Sequence, residues 1–129
     1  MQPFRAILTG LALILLSVPV FAAEMLPFEQ SRFVAAQKEG RPILVDIRAS
    51  WCPTCAAQKP ILERLTAQPA FKNLIVFTVD FDAQKNVVRE LHAQMQSTLI
   101  AFKGTTETAR SVGDTEEPSI EKLLRSTGG

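Results

Sequence analysis

Cys52 and Cys55 are the only cysteines in the 129-residue chain, and they stand two residues apart in Trp51-Cys52-Pro53-Thr54-Cys55. The apolar run Ile43-Leu44-Val45-Asp46-Ile47 precedes them and reads as a buried strand, and a helical pattern follows. A CxxC segment at such a junction sets its first sulfur at a helix N-terminus, where unpaired amides and the helix dipole favour the thiolate. A thiolate is the attacking species in disulfide exchange. As a structural staple the pair would be weak, because the bridge closes a very short loop and removes little chain entropy. The spacing therefore favours a redox couple, with a metal site and a purely structural bridge as the other readings.

The N-terminus bears on the compartment in which these thiols work. Met1 to Arg5 carry one positive charge, Ala6 to Leu16 are almost wholly apolar, and Ser17-Val18-Pro19 break the run before Val20-Phe21-Ala22. That order fits a secretory signal peptide over residues 1–22, cleaved after Ala22. An uncleaved anchor is the alternative, since no charge falls between Arg5 and Glu24. Either way the remainder is exported, periplasmic or otherwise outside the cytoplasm, into an oxidising environment.

Residues 23–129 have the size of one small domain. The chain holds 14 basic and 13 acidic residues, and the leader removes only Arg5, so the domain is close to neutral. Nothing in that balance points to nucleic acid or to an anionic membrane surface.

The elements that must position the thiols follow from periodicity. Glu24 to Gly40 reads as a short leader and then a helix with Phe28, Phe33, Val34 and Ala36 inward, ended by Gly40 and Pro42. A strand covers Ile43 to Arg48. A helix runs from Cys52 to about Ala67 with Ile61, Leu62 and Leu65 on one side, and Pro60 is expected to kink or interrupt it. Leu74 to Phe81 reads as a second buried strand, Gln84 to Gln94 as a helix, and Thr98 to Lys103 as a third strand. After the turn at Gly104 come an edge strand over Thr105 to Val112 and a last helix over Pro118 to Arg125. This alternation implies an α/β fold, a central mixed sheet with helices on both faces.

Over the whole exported part these residues resemble the thioredoxin family. The likeness rests on Val45-Asp46-Ile47-Arg48-Ala49-Ser50-Trp51-Cys52-Pro53-Thr54-Cys55, on Pro60 inside the following helix, and on Val79-Asp80-Phe81-Asp82. Phe102-Lys103-Gly104 and Gly113 extend it. The resemblance implies a thioredoxin-like fold, with Cys52 as the exposed attacking thiol and Cys55 as the more buried resolving thiol. It also implies that Asp46 exchanges a proton with the resolving thiol, against the plainer reading of a strand-end aspartate bonded to backbone. Trp51, Pro53, Thr54, Gln96 and Ser97 fall where relatives contact an extended substrate. Trp51 flanks the thiols or packs in the core, and Arg48 lines the site or is simply a solvated strand end. His92 and the phenylalanines read as structural.

Two positions depart from the family pattern. Thr78 stands where many relatives have a lysine beside the buried acid, and Ser97 where they have a cis-proline. A cis bond without proline costs about 3 kcal/mol, so a trans or locally strained Gln96–Ser97 peptide is expected. The Ser97 hydroxyl either addresses the sulfurs or belongs to an ordinary strand-entry loop.

The function implied is thiol-disulfide exchange with protein thiols or disulfides. It would be carried out by a monomer with no cofactor beyond its own cysteine pair and no metal, served by a membrane electron donor or acceptor. A binding module or thiol carrier holding a metal or cluster on the CxxC is the alternative, and a chaperone-like partner a third.

Overall fold

The computed structural model describes residues 14–18 and 22–128. Most of the expected signal peptide lies outside the described residues, and among those described no helix is long and apolar enough to cross a membrane. The domain runs β1 (Glu24–Pro27), α1 (Gln30–Lys38), β2 (Pro42–Arg48), α2 (Pro53–Thr66), β3 (Ile75–Asp80), α3 (Lys85–Glu90), β4 (Thr98–Lys103), β5 (Thr106–Val112) and α4 (Glu117–Arg125), with a 3-10 turn at Pro69–Phe71.

The strands form one sheet in the order β1-β3-β2-β4-β5. β1, β3 and β2 are mutually parallel, β4 is antiparallel to β2, and β5 to β4. Alternating side chains of β2 feed two cores, because successive residues of a strand point to opposite faces. Ile43, Val45 and Ile47 join Phe28, Phe33, Phe77 and Phe102 beneath α1 and α3. Leu44 joins Val76, Leu99 and the apolar faces of α2 and α4. The mixed sheet with helices on both faces matches the expectation from periodicity.

Two elements differ from it. Glu24–Pro27 is a strand rather than a leader. It is too short and too exposed to show alternation, and its pairing with β3 supplies what its pattern lacks. The helix expected to reach Gln94 stops at Glu90, where Leu91 caps it and His92 takes a left-handed φ of 54° that turns the chain toward β4. Helix α2 continues through Pro60 to Thr66, although Pro60 has no amide hydrogen to give the Ala56 carbonyl. In the β4–β5 hairpin, Lys103 pairs with Thr106, and Gly104 supplies the positive φ at the first position of the two-residue turn.

The four phenylalanines of the first core touch ring to ring, with centroids 5.2 to 6.0 Å apart. Phe77 contacts Phe28 and Phe33 and is fully buried. Phe77→Ala is expected to lower unfolding free energy by about 3–5 kcal/mol, measured by urea denaturation. A loss below about 1 kcal/mol would mean that this ring cluster does not hold the sheet to α1.

Candidate active site around the two thiols

β2 ends at Arg48, and Ala49 to Trp51 carry the chain into α2. The Cys52 amide donates to the Ala49 carbonyl at 3.2 Å, and Cys52, with extended backbone, becomes the N-cap of α2. Its Sγ accepts the Cys55 amide at 3.1 Å. A cap needs a side-chain acceptor for one of the free amides of the first turn, and here the acceptor is sulfur. Pro53 stands at the start of the helix, where no amide hydrogen is required. It is exposed, and Thr54 is half-buried.

The order of exposure reverses the expectation. Cys52 is 3% exposed, whereas Cys55 is half-buried. Capping explains this, since it folds the Cys52 side chain back onto the helix it starts. Burial nevertheless pushes the Cys55 thiol up, and a hydrogen bond to Cys52 and the charge of that neighbour push it further. Backbone hydrogen bonds from Ala49 and Ser97 pull in the other direction. The Cys55 thiol is thus the harder to ionise in its surroundings, while the Cys52 sulfur accepts a backbone amide. Hydrogen bonding, rather than exposure, is what distinguishes the two thiols here.

Asp46 is 3% exposed. Its side chain bonds neither backbone nor Thr78, its partner across β3. Arg48, two residues along the same strand and therefore on the same face, donates to Asp46 Oδ2 from Nε at 3.0 Å and from an Nη at 2.6 Å. Arg48 is thus not a free strand-end cation. Burial raises the Asp46 carboxyl above its ordinary range, and the guanidinium offsets that only in part.

Ser97 has a φ of 56°, and there is no cis peptide among the described residues. The Gln96–Ser97 bond is therefore trans, and the residue is also strained, in the left-handed region that costs a non-glycine residue about 1–2 kcal/mol. The Ser97 hydroxyl does not address the sulfurs but donates to the Gln96 carbonyl at 2.6 Å. It is the Ser97 backbone, not the hydroxyl, that acts on Cys55, pulling its thiol downward. Its carbonyl accepts from the Gly113 amide at 2.9 Å and from Gln58 Nε2 at 3.3 Å.

Gln58, Arg48 and Asp82 are the contributors that sequence reasoning missed or left open. Gln58 is 1% exposed and also donates to the Asp114 carbonyl at 2.8 Å, tying α2 to the loops before β4 and after β5. Its signal was present: with Ile61, Leu62 and Leu65 it falls on the inward stripe of the helix, where a polar residue is out of place. Asp82 accepts from Trp51 Nε1 at 2.7 Å and holds that ring at the surface, 57% exposed beside Cys52.

A profile of the family described as Thioredoxin matches residues 24–126. The chain is 30% identical to Thioredoxin Asp f 29 of Aspergillus fumigatus, covering 69% of this chain and 80% of that protein. It is 34% identical to a thioredoxin of Chlamydia muridarum, over 64% and 78% of the two chains. Among solved structures it is similar to Trxlp of Edwardsiella tarda, with a TM-score of 0.76, 40% identity, and coverage of 78% of this chain and 98% of that one.

The buried acid gives a pH test. The Asp46 carboxyl titrates near 3.8 when unfolded and higher when folded. Between these values the folded chain holds the extra proton, so stability falls as pH rises through the window and stays low above it. Asparagine does not titrate, and the half-exposed Arg48 left behind is hydrated. The stability of Asp46→Asn relative to the native chain should therefore rise from about pH 3 to pH 7, by about 1.4 kcal/mol for each tenfold difference in proton affinity. Urea unfolding at both pH values measures it, and a difference that does not change with pH would refute the argument.

Proposed function

The chain belongs to the thioredoxin family, and on that premise we propose that it is an exported thiol-disulfide oxidoreductase that exchanges its Cys52–Cys55 pair with protein substrates. The observation that carries this reading is the Cys52 sulfur capping α2, 3.1 Å from the Cys55 amide. Cys52 attacks a substrate disulfide and forms a mixed disulfide, releasing one substrate thiolate. Cys55 then loses its proton and displaces the second substrate sulfur, closing the Cys52–Cys55 bond. Two electrons pass to the substrate.

Asp46 is the candidate acceptor for the Cys55 proton. Both Arg48 bonds go to Oδ2, so Oδ1 is the oxygen open to protonation. Trp51, Pro53, Thr54 and the Gln96–Ser97 loop frame the thiols and form the surface on which a protein substrate rests. Exposed Trp51 supplies apolar contact there.

Export is supported by the leader pattern. Ala23, the residue after the expected cleavage at Ala22, donates its amide to the Thr66 carbonyl at 2.9 Å and so belongs to the folded domain. A membrane electron donor or acceptor would reset the pair in that compartment. For the alternative of a metal or cluster carrier, no three His, Cys, Asp or Glu side chains stand together among the described residues. Such a centre would need ligands from a second chain.

Cys52→Ser is expected to abolish reduction of insulin disulfides, and Cys55→Ser to accumulate mixed disulfides with substrate, seen as thiol-reversible adducts on non-reducing gels. Full insulin-reducing activity in Cys52→Ser would refute the mechanism. Mass spectrometry of the secreted protein should find Ala23 at its N-terminus, and an intact Met1 would instead support an anchor.

A further inference from the structure

A cleft of about 250 Å3 opens beside the thiols, lined by Cys52, Cys55, Ser50, Arg48 and Lys59, with two alanines between them. The two cations come from different elements, Arg48 from the end of β2 and Lys59 from α2. No carboxylate lines the cleft. The two acids that touch these cations lie outside it. Asp46 is buried in the sheet beneath Arg48, and Glu63 is one turn further along α2, 4.0 Å from Lys59.

The rest of the molecule does not produce this bias. With 14 basic and 13 acidic residues over the full chain, its net charge gives an anion little general attraction. A charge preference at the thiols would have to be local, acting within roughly the 8–10 Å over which salt leaves charges visible to one another. The side chain of Arg48 is 35% exposed and that of Lys59 64% exposed, so both cations are accessible from solvent in the cleft that Cys52 and Cys55 also line.

We propose that Arg48 and Lys59 make this oxidoreductase selective for disulfides that carry a carboxylate close to the sulfur under attack. The inference rests on the thiol-disulfide reading above and adds the substrate class. The chemistry is unchanged. Cys52 thiolate forms a bond to one substrate sulfur and expels the other as a thiolate, and Cys55, giving up its proton, forms the internal disulfide and expels the first. The substrate disulfide is the oxidant and takes up both electrons. The cations hold the substrate carboxylate during approach and in the mixed disulfide, and offset the negative charge that accumulates as thiolates leave.

The test uses the full chain, reduced beforehand, and three small symmetrical disulfides: dithiodipropionate, which is a dianion, neutral hydroxyethyl disulfide, and cystamine, a dication. Acid quenching and a mass-spectrometric count of remaining thiols give each rate, divided by the rate of the same compound with dithiothreitol to remove intrinsic reactivity. The expected order is dianion, neutral, dication, with at least about a tenfold spread at low salt that shrinks as sodium chloride is added. Lys59→Gln alters an exposed side chain and should cut the dianion-to-dication ratio about threefold, and Arg48→Gln should cut it further.

Equal normalised rates for the three compounds, or cystamine fastest, would overturn the selectivity and leave the oxidoreductase reading standing. A spread that survives in both variants would overturn the assignment to these two side chains. No reaction with any of the three would instead overturn the oxidoreductase reading and the selectivity with it.

Discussion

β2 lies between β3 and β4 with helices over both faces, so it has no solvent side on which to place a polar residue. Five of its seven residues are buried, and Asp46 is one of them. An ionised carboxylate there loses hydration worth several kcal/mol. The cost is met from the same strand. Arg48 reaches back over one intervening residue with two hydrogen bonds while part of its guanidinium stays in water. This pairing fixes the direction of Arg48 at the sheet end from which Ala49 and Cys52 depart. The strand therefore sets the position of the thiols and the charge beside them together.

The loop facing the thiols answers a different constraint. Proline has no amide hydrogen, so a proline at position 97 would offer the sulfurs a ring and no donor. Ser97 on a trans peptide offers its backbone to Cys55 instead. The strained φ of this residue is held by bonds on its carbonyl from Gly113 and from Gln58. Gln58 belongs to the same helix as both cysteines, so the device that holds the loop is anchored on the element that carries the thiols.

Most of this architecture was legible in the sequence because apolar periodicity and the CxxC junction report directly on which residues face inward. β2, α2, β3, β4 and α4 carry strong periodic signals and fall within a few residues of their expected bounds. β1 was not legible: four mostly exposed residues have no pattern of their own and become a strand only by pairing with β3. Side-chain partners were hidden for a similar reason. Arg48 and Asp46 are adjacent on one face by strand geometry, yet nothing in a linear reading says that the arginine turns back rather than out. The exposure of the two thiols was misjudged because a cysteine that caps a helix folds onto it, a consequence of conformation rather than of position.

The choice of Arg48 rather than a residue at Thr78 to face the buried acid has a consequence for catalysis. A cation on β3 would meet Asp46 across the sheet, whereas Arg48 also lines the cleft that the substrate enters. Under the proposed selectivity one guanidinium serves two anions, the Asp46 carboxylate within the sheet and a substrate carboxylate outside it. Any share of its hydrogen bonding taken by the substrate is lost to Asp46, whose affinity for a proton must rise by the same free energy. In the proposed exchange, Cys55 releases its proton after the mixed disulfide has formed, when such a substrate is still in place. On the proposed mechanism and selectivity, occupancy of the cleft would make Asp46 a better acceptor at the step that needs one, and its departure would return the guanidinium to the carboxylate.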